Sequence, residues 1–142
     1  KGYKGLIYQT HGVANNDFLR VGGKDVEGAL LPVGPMVVAA QLPNDNPVKK
    51  SALEYVTKYE AVHGKGSVSS FGGHAWDAIM LIRDAIEHGD ATPMAIRDQL
   101  ERTKNFAGIG GIFNYSEQDH AGLTKDAFVL VQVKKGDWKL IK

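Results

Sequence analysis

Residues 71–78 read Phe71-Gly72-Gly73-His74-Ala75-Trp76-Asp77-Ala78 and lead into Ile79-Met80-Leu81-Ile82-Arg83-Asp84-Ala85-Ile86. Ala75, Ile79, Ile82 and Ile86 recur at steps of three and four, widened by Ala78, Leu81 and Ala85, which predicts an apolar helix face. The helix stops at His88-Gly89. About thirty residues further on comes a glycine-rich run, Phe106-Ala107-Gly108-Ile109-Gly110-Gly111-Ile112-Phe113. Phe128-Val129-Leu130-Val131-Gln132-Val133 then carries apolar residues on both faces, as a buried strand does. Strands mixed with long helices make the chain α/β.

The rest of the chain fits that class. Tyr3–Tyr8 is a short apolar run expected to be a buried strand, with Gln9-Thr10-His11-Gly12 as the loop at its end. Asn15 and Asn16 are candidate caps for a short helix over 17–21, stopped by Gly22-Gly23. Val26–Val33 is expected to be a strand with an irregular end at Pro32, and Gly34–Asp45 a loop. Asn46 with Pro47 opens a helix whose stripe is Val48, Ala52, Tyr55, Tyr59 and Val62. Gly64–Ser70 is a link, Thr92-Pro93 opens a third long helix, and Ser116–Asp126 is polar loop. Lys134-Lys135-Gly136-Asp137 is a hairpin-type turn before a closing strand, Trp138–Ile141.

Composition narrows the function. The chain has 142 residues, 17 basic and 16 acidic side chains, and a net charge of +1. That length suits one domain, and the charge gives no field favouring nucleic acid or an anionic membrane. No apolar run is long enough to span a bilayer. Cysteine is absent, which excludes a disulfide framework, a thiol nucleophile and a Cys-based zinc site. No His/Asp/Glu cluster has metal-ligand spacing, so no metal and no cofactor are expected. Gly108-Ile109-Gly110-Gly111 has the wrong spacing for a nucleotide fingerprint and leads into a strand, so it reads as a structural turn. No nucleophile elbow or other catalytic set is present, and no catalytic residue is assigned.

Five histidines remain to be sorted. His63 and His88 each end a helix, where a cation meets the negative end of the dipole. His120 sits in polar loop. His11 follows a strand and His74 sits near a helix start. Ligands of α/β proteins bind outside strand C-termini, and helix N-termini hold carboxylates. These two are the candidate ligand residues, against the plainer reading of loop histidines bonding backbone carbonyls. Phe71, at the mouth of the same helix, joins them because loops carry function. Trp76, Tyr55 and Tyr59, at helical spacing, read as core.

In order, four segments resemble the C-terminal part of periplasmic solute-binding proteins of the branched-chain amino-acid type, the capture components of ABC importers. They are Gln9-Thr10-His11-Gly12-Val13-Ala14-Asn15 after its strand; Val26-Glu27-Gly28 leading the next strand; Phe71 with His74-Ala75-Trp76-Asp77-Ala78; and Phe106-x-Gly108-x-x-Gly111-x-Phe113 before the last strands. The resemblance implies a three-layer αβα architecture, part of a two-lobed type I periplasmic binding fold. Residues 1–34 would belong to the C-terminal lobe, 46–115 would cross back toward the other lobe, and 127–142 would supply closing strands at the hinge. Family members are longer, and this chain begins at Lys1. It therefore reads as a portion of a longer protein, whose exposed apolar faces would be covered by self-association or repacking.

The resemblance also implies a ligand site at Gln9, Thr10, His11, Gly12, Phe71 and His74. Amino-acid binders of this type place an acidic residue near the ligand ammonium, and His11 stands there in this chain. Imidazole does not supply that charge pairing. The implied ligand is thus a small organic acid, an aromatic or branched carboxylate, or otherwise an apolar amino acid. The implied partners are that ligand and an ABC permease, in the periplasm, with no enzyme activity. The alternative is an extracellular sensing domain of a signalling receptor on the same fold, which a fused transmembrane or signalling segment in the parent gene would mark.

Overall fold

The computed structural model describes residues 2–141. Three strands form the main sheet: β1 (Leu30–Val33), β4 (Val129–Lys134) and β5 (Asp137–Leu140), in the order β1-β4-β5. Both pairings are antiparallel, with Leu31 opposite Val131 and Val133 opposite Trp138. The β4–β5 turn has positive φ at Lys135 and Gly136 (55° and 71°), the backbone that a tight hairpin needs. The apolar character of β4 follows from its place between two neighbours, with Val131 and Val133 fully buried.

Four helices and a small hairpin complete the fold: α1 (Asn16–Gly22), α2 (Lys49–His63), α3 (Ser70–Glu87), α4 (Pro93–Arg102), then β2 (Phe106–Ala107) paired with β3 (Ile112–Phe113). Their starts are chemically marked. Asn15 accepts from Phe18 N–H, Ser69 from Gly72 N–H and Thr92 from Ala95 N–H, each satisfying an otherwise orphaned donor. Asn46 accepts from Val48 N–H, so α2 begins at Lys49 rather than beside Pro47.

Two hydrophobic clusters form. One joins the sheet to Ala14, Val38, Leu42 and Val48; the other gathers Met36, Ala39, Ala52, Tyr55 and Ile109, with Trp76 and Tyr59 at its edge. The kinked 3-10 segment Pro35–Gln41, expected as loop, contributes to both.

Four expectations need correction. Tyr3–Tyr8 is not a buried strand. Tyr8 makes a single parallel bridge to Leu30, and Tyr3, Leu6, Ile7 and Tyr8 are exposed. The segment lies on the open edge of β1, and no layer among the described residues covers it. The second strand starts at Leu30, since 23–26 turn as 3-10 helix. On α3 the stripe Ala75, Ile79, Ile82 and Ile86 faces outward; of the residues expected to widen it, Leu81 and Ala85 are buried, on the side shared with Gly73 and Asp77. Packing, not hydrophobicity alone, chose the buried side. Gly73 lets Ile109 approach so closely that a Cβ there would stand 2.5 Å from Ile109 Cδ1, and Asp77 is drawn in by backbone donors. In α2, Ala52 and Tyr55 are buried as expected but Val62 is exposed.

Candidate functional site

The two segments that framed the sequence meet through Asp77. Its carboxylate, 3% exposed, accepts from Ile109 N–H at 2.7 Å and Gly110 N–H at 2.9 Å. The glycine-rich turn between β2 and β3 is therefore clamped onto α3. Glycine is required at 108, where a Cβ would stand 2.6 Å from Phe113 and 2.7 Å from both Asp77 oxygens. Burial pushes the Asp77 carboxyl above its ordinary range, while the two backbone N–H groups and the nearby His74 pull the other way. The turn is structural, as its spacing implied. Asp77 itself went unassigned in the sequence; the usable signal was a carboxylate on a helix face one turn after Gly73.

The clamp positions His74. It lies one turn before Asp77 on α3, and a Cβ on Gly110 would stand 3.9 Å from its Nδ1. His74 is thus in the second turn of an eighteen-residue helix, not at the N-terminus itself. Its ring centroid lies 6.3 Å from that of His11, tilted by 59°. His11 opens a short 3-10 turn after Tyr8, which the bridge to Leu30 ties to the sheet. The His11 ring in turn meets Phe128 at 5.5 Å and 77°. Among the described residues, no hydrogen bond occupies either imidazole. Each imidazole keeps a ring nitrogen able to donate a hydrogen bond.

The other expected residues are near but differently placed. Gln9 donates its backbone N–H to Leu30 O at 2.8 Å, and Thr10 O receives Val13 N–H, so both shape the turn that carries His11. Gly12 is exposed in that turn. Phe71 is in the first turn of α3 and 68% exposed; it makes no ring contact with the histidine pair among the described residues. Phe128, read from the sequence only as a strand residue, is the aromatic that the structure brings to His11.

Four grooves lie elsewhere, two of them on apolar faces. One of about 340 Å³ sits between α3 and α4, floored by Leu81, Ile82 and Leu100. Its Glu101 is already engaged by His120 at 3.2 Å and Arg97 at 3.8 Å. Another of about 270 Å³ runs between Met36, Val56 and Trp138; at its edge Asn16 Nδ2 donates to Gly66 O at 2.7 Å. Neither groove is lined by His11 or His74. No helix is long and apolar enough to cross a membrane, and no group of three His, Cys, Asp or Glu side chains among the described residues is placed to hold a metal.

No protein-family model matches the sequence, and no curated protein does. Solved structures do. An extracellular ligand-binding receptor from Rhodopseudomonas palustris HaA2 is 37% identical, with a TM-score of 0.89 over 99% of this chain and 42% of its own. A leucine-binding protein, LivK, from Thermotoga maritima MSB8 is 28% identical, with a TM-score of 0.73 over 99% of this chain and 37% of its own. A type 1 periplasmic binding protein from Bordetella pertussis Tohama I shares the fold, at 19% identity and a TM-score of 0.70, covering 94% of this chain and 38% of its own. These are described as binding proteins, not enzymes. The chain spans about two-fifths of the length of each. Along its whole length, then, it is similar to periplasmic and extracellular solute-binding receptors of the branched-chain amino-acid type, and it has the α/β fold of type I periplasmic binding proteins.

Proposed function

We propose that this chain is part of a periplasmic solute-binding protein that captures a small organic acid, an aromatic or branched carboxylate, or an apolar amino acid, for an ABC permease. The observation that carries this reading is the convergence of His11 and His74 at 6.3 Å beside Phe128. Two imidazoles are suited to the two oxygens of one carboxylate, and an adjacent ring to the apolar remainder. Gln9, Thr10 and Gly12 would set the turn that presents His11, and Phe71 would stand at the rim. Capture needs no cofactor and no bond making.

The two hydrophobic clusters support a division between lobes. The sheet residues of 1–34 and 127–142 share one cluster, and the helices and hairpin of 46–115 mostly share the other. On this reading the histidines come from opposite sides of the division, so ligand binding would draw the two parts together. Closure would present a surface to the permease.

A thermal-shift screen tests the reading, with this chain and its full-length parent in parallel. The panel pairs phenylacetate and isovalerate with phenylalanine and leucine. A ligand at a hundredfold excess over its dissociation constant stabilises by about 2.7 kcal/mol. Stabilisation by the acids and its loss in His11→Ala are expected. Stabilisation by the amino acids alone overturns the His11 assignment; no response from either protein overturns the reading.

A further inference from the structure

Residues 1–34 and 127–142 share little hydrogen bonding with residues 46–115. Among the described residues a single hydrogen bond joins the two sets: Asn16 Nδ2 donates to Gly66 O at 2.7 Å. It stands at the edge of the groove of about 270 Å³, which Asn15 and Asn16 line from one side and Val56, Glu60 and Gly66 from the other. Each partner is fixed within its own part. Asn16 opens α1, whose cap is the neighbouring Asn15, and Phe18 and Leu19 of that helix pack on the sheet cluster. Gly66 lies in a turn built onto the end of α2. Gly64 N–H donates to Glu60 O at 2.9 Å, and Ser67 Oγ donates to Gly64 O at 2.6 Å. The Glu60 carboxylate accepts from Gly66 N–H at 2.7 Å. Gly66 has a φ of 77°, a backbone that glycine adopts without strain. With its N–H taken by Glu60, Gly66 offers its carbonyl to Asn16.

We infer that the Asn16–Gly66 hydrogen bond is a latch that holds the two parts closed over this groove in the absence of ligand; the inference rests on the division between lobes given above. Packing also joins the parts, through Pro35–Gln41, which serves both clusters. Apolar packing is non-directional, whereas a hydrogen bond demands one geometry. The latch therefore selects one arrangement among those the packing allows. It sets the fraction of protein in that arrangement without being a ligand contact. The apparent dissociation constant of every ligand scales inversely with that fraction.

The sequence has no cysteine, so two introduced thiols can carry spin labels uniquely. Val62→Cys on α2 and Lys139→Cys on β5 are exposed positions in the two parts. Pulsed electron resonance then reads the distance between the parts without ligand, in the wild-type background and with Asn16→Ala or Asn16→Asp. The aspartate keeps the shape but has no donor, and circular dichroism confirms that each variant folds. Both substitutions are expected to broaden the distance distribution and extend it to longer values. In titrations they are expected to weaken phenylacetate and leucine by one common factor, about two- to tenfold. A distribution unchanged by both variants overturns the latch, and so does a loss confined to one ligand, which would make Asn16 a ligand contact. A wild-type chain that binds neither compound removes the capture reading alone, and the ligand-free distances still decide the latch.

Discussion

The two sides of α3 differ in a way that composition does not foretell. The outer side carries Ala75, Ile79, Ile82 and Ile86; the inner carries Gly73, Asp77, Leu81 and Ala85. By hydrophobicity the outer side should be the core. Yet Ile79 is 65% exposed, while Asp77 is almost completely buried. The inner side wins because it fits: small residues admit Ile109, and the carboxylate answers two backbone donors that a hydrocarbon would leave unpaired. The outer side is only partly covered: Ile82 lies beside Leu100 of α4, while Ile79 is open among the described residues. The similar solved structures are more than twice as long as this chain, and an exposed apolar stripe of this kind is suited to contact with further protein.

Substitutions on α3 measure that contrast. The largest effect is expected from Leu81→Ala, at about 2–5 kcal/mol in a denaturant melt. Ile79→Ala should stay within about 0.5 kcal/mol, and an equal loss at both positions would show the outer side to be covered. Asp77→Asn comes next, at about 1–3 kcal/mol, because its amide keeps one acceptor oxygen for two N–H groups.

That variant also carries a pH signature. Burial raises the folded Asp77 carboxyl above its unfolded value, so the folded state holds the proton to higher pH. Its contribution to stability is full below the ordinary carboxylate range and is lost as pH rises through the raised folded value. Denaturant melts from acid to neutral pH should show this decline in the wild type and a flatter profile in Asp77→Asn. Ser69→Ala, which removes the cap on the first turn of α3, should cost about 0.5–2 kcal/mol. The smallest effect on stability belongs to Ile79→Glu, at the most exposed apolar position of the outer side. Its visible consequence should be in sedimentation, where any self-association of the wild-type chain is expected to fall away.

What the sequence revealed follows the same division. Helix starts at Asn15 and Thr92 were legible because a cap is local, each acting within three residues; Ser69 was read as part of the link and caps α3 all the same. The β4–β5 hairpin was legible from Lys135-Gly136 for the same reason. Burial was not, because it depends on distant partners. Tyr3–Tyr8 and Val129–Val133 look alike as strings, but β4 has a neighbour on each side and the first run has one bridge. Of the proposed site, His11 and His74 were legible as histidines beside a strand end and a helix start. Their meeting was not, since 62 positions separate them and the clamp at Asp77 that fixes His74 is itself a long-range contact. Phe128 was hidden by its apolar neighbours, which made it one more strand residue.

The most direct test of the paired imidazoles is nuclear magnetic resonance of the chain with labelled histidine side chains, titrated with phenylacetate. Five imidazoles report at once, and His63, His88 and His120 serve as internal controls. The account predicts that His11 and His74 shift together along one binding curve while the other three stay still. Shifts spread evenly over all five, or confined to one ring of the pair, would contradict a carboxylate held between His11 and His74.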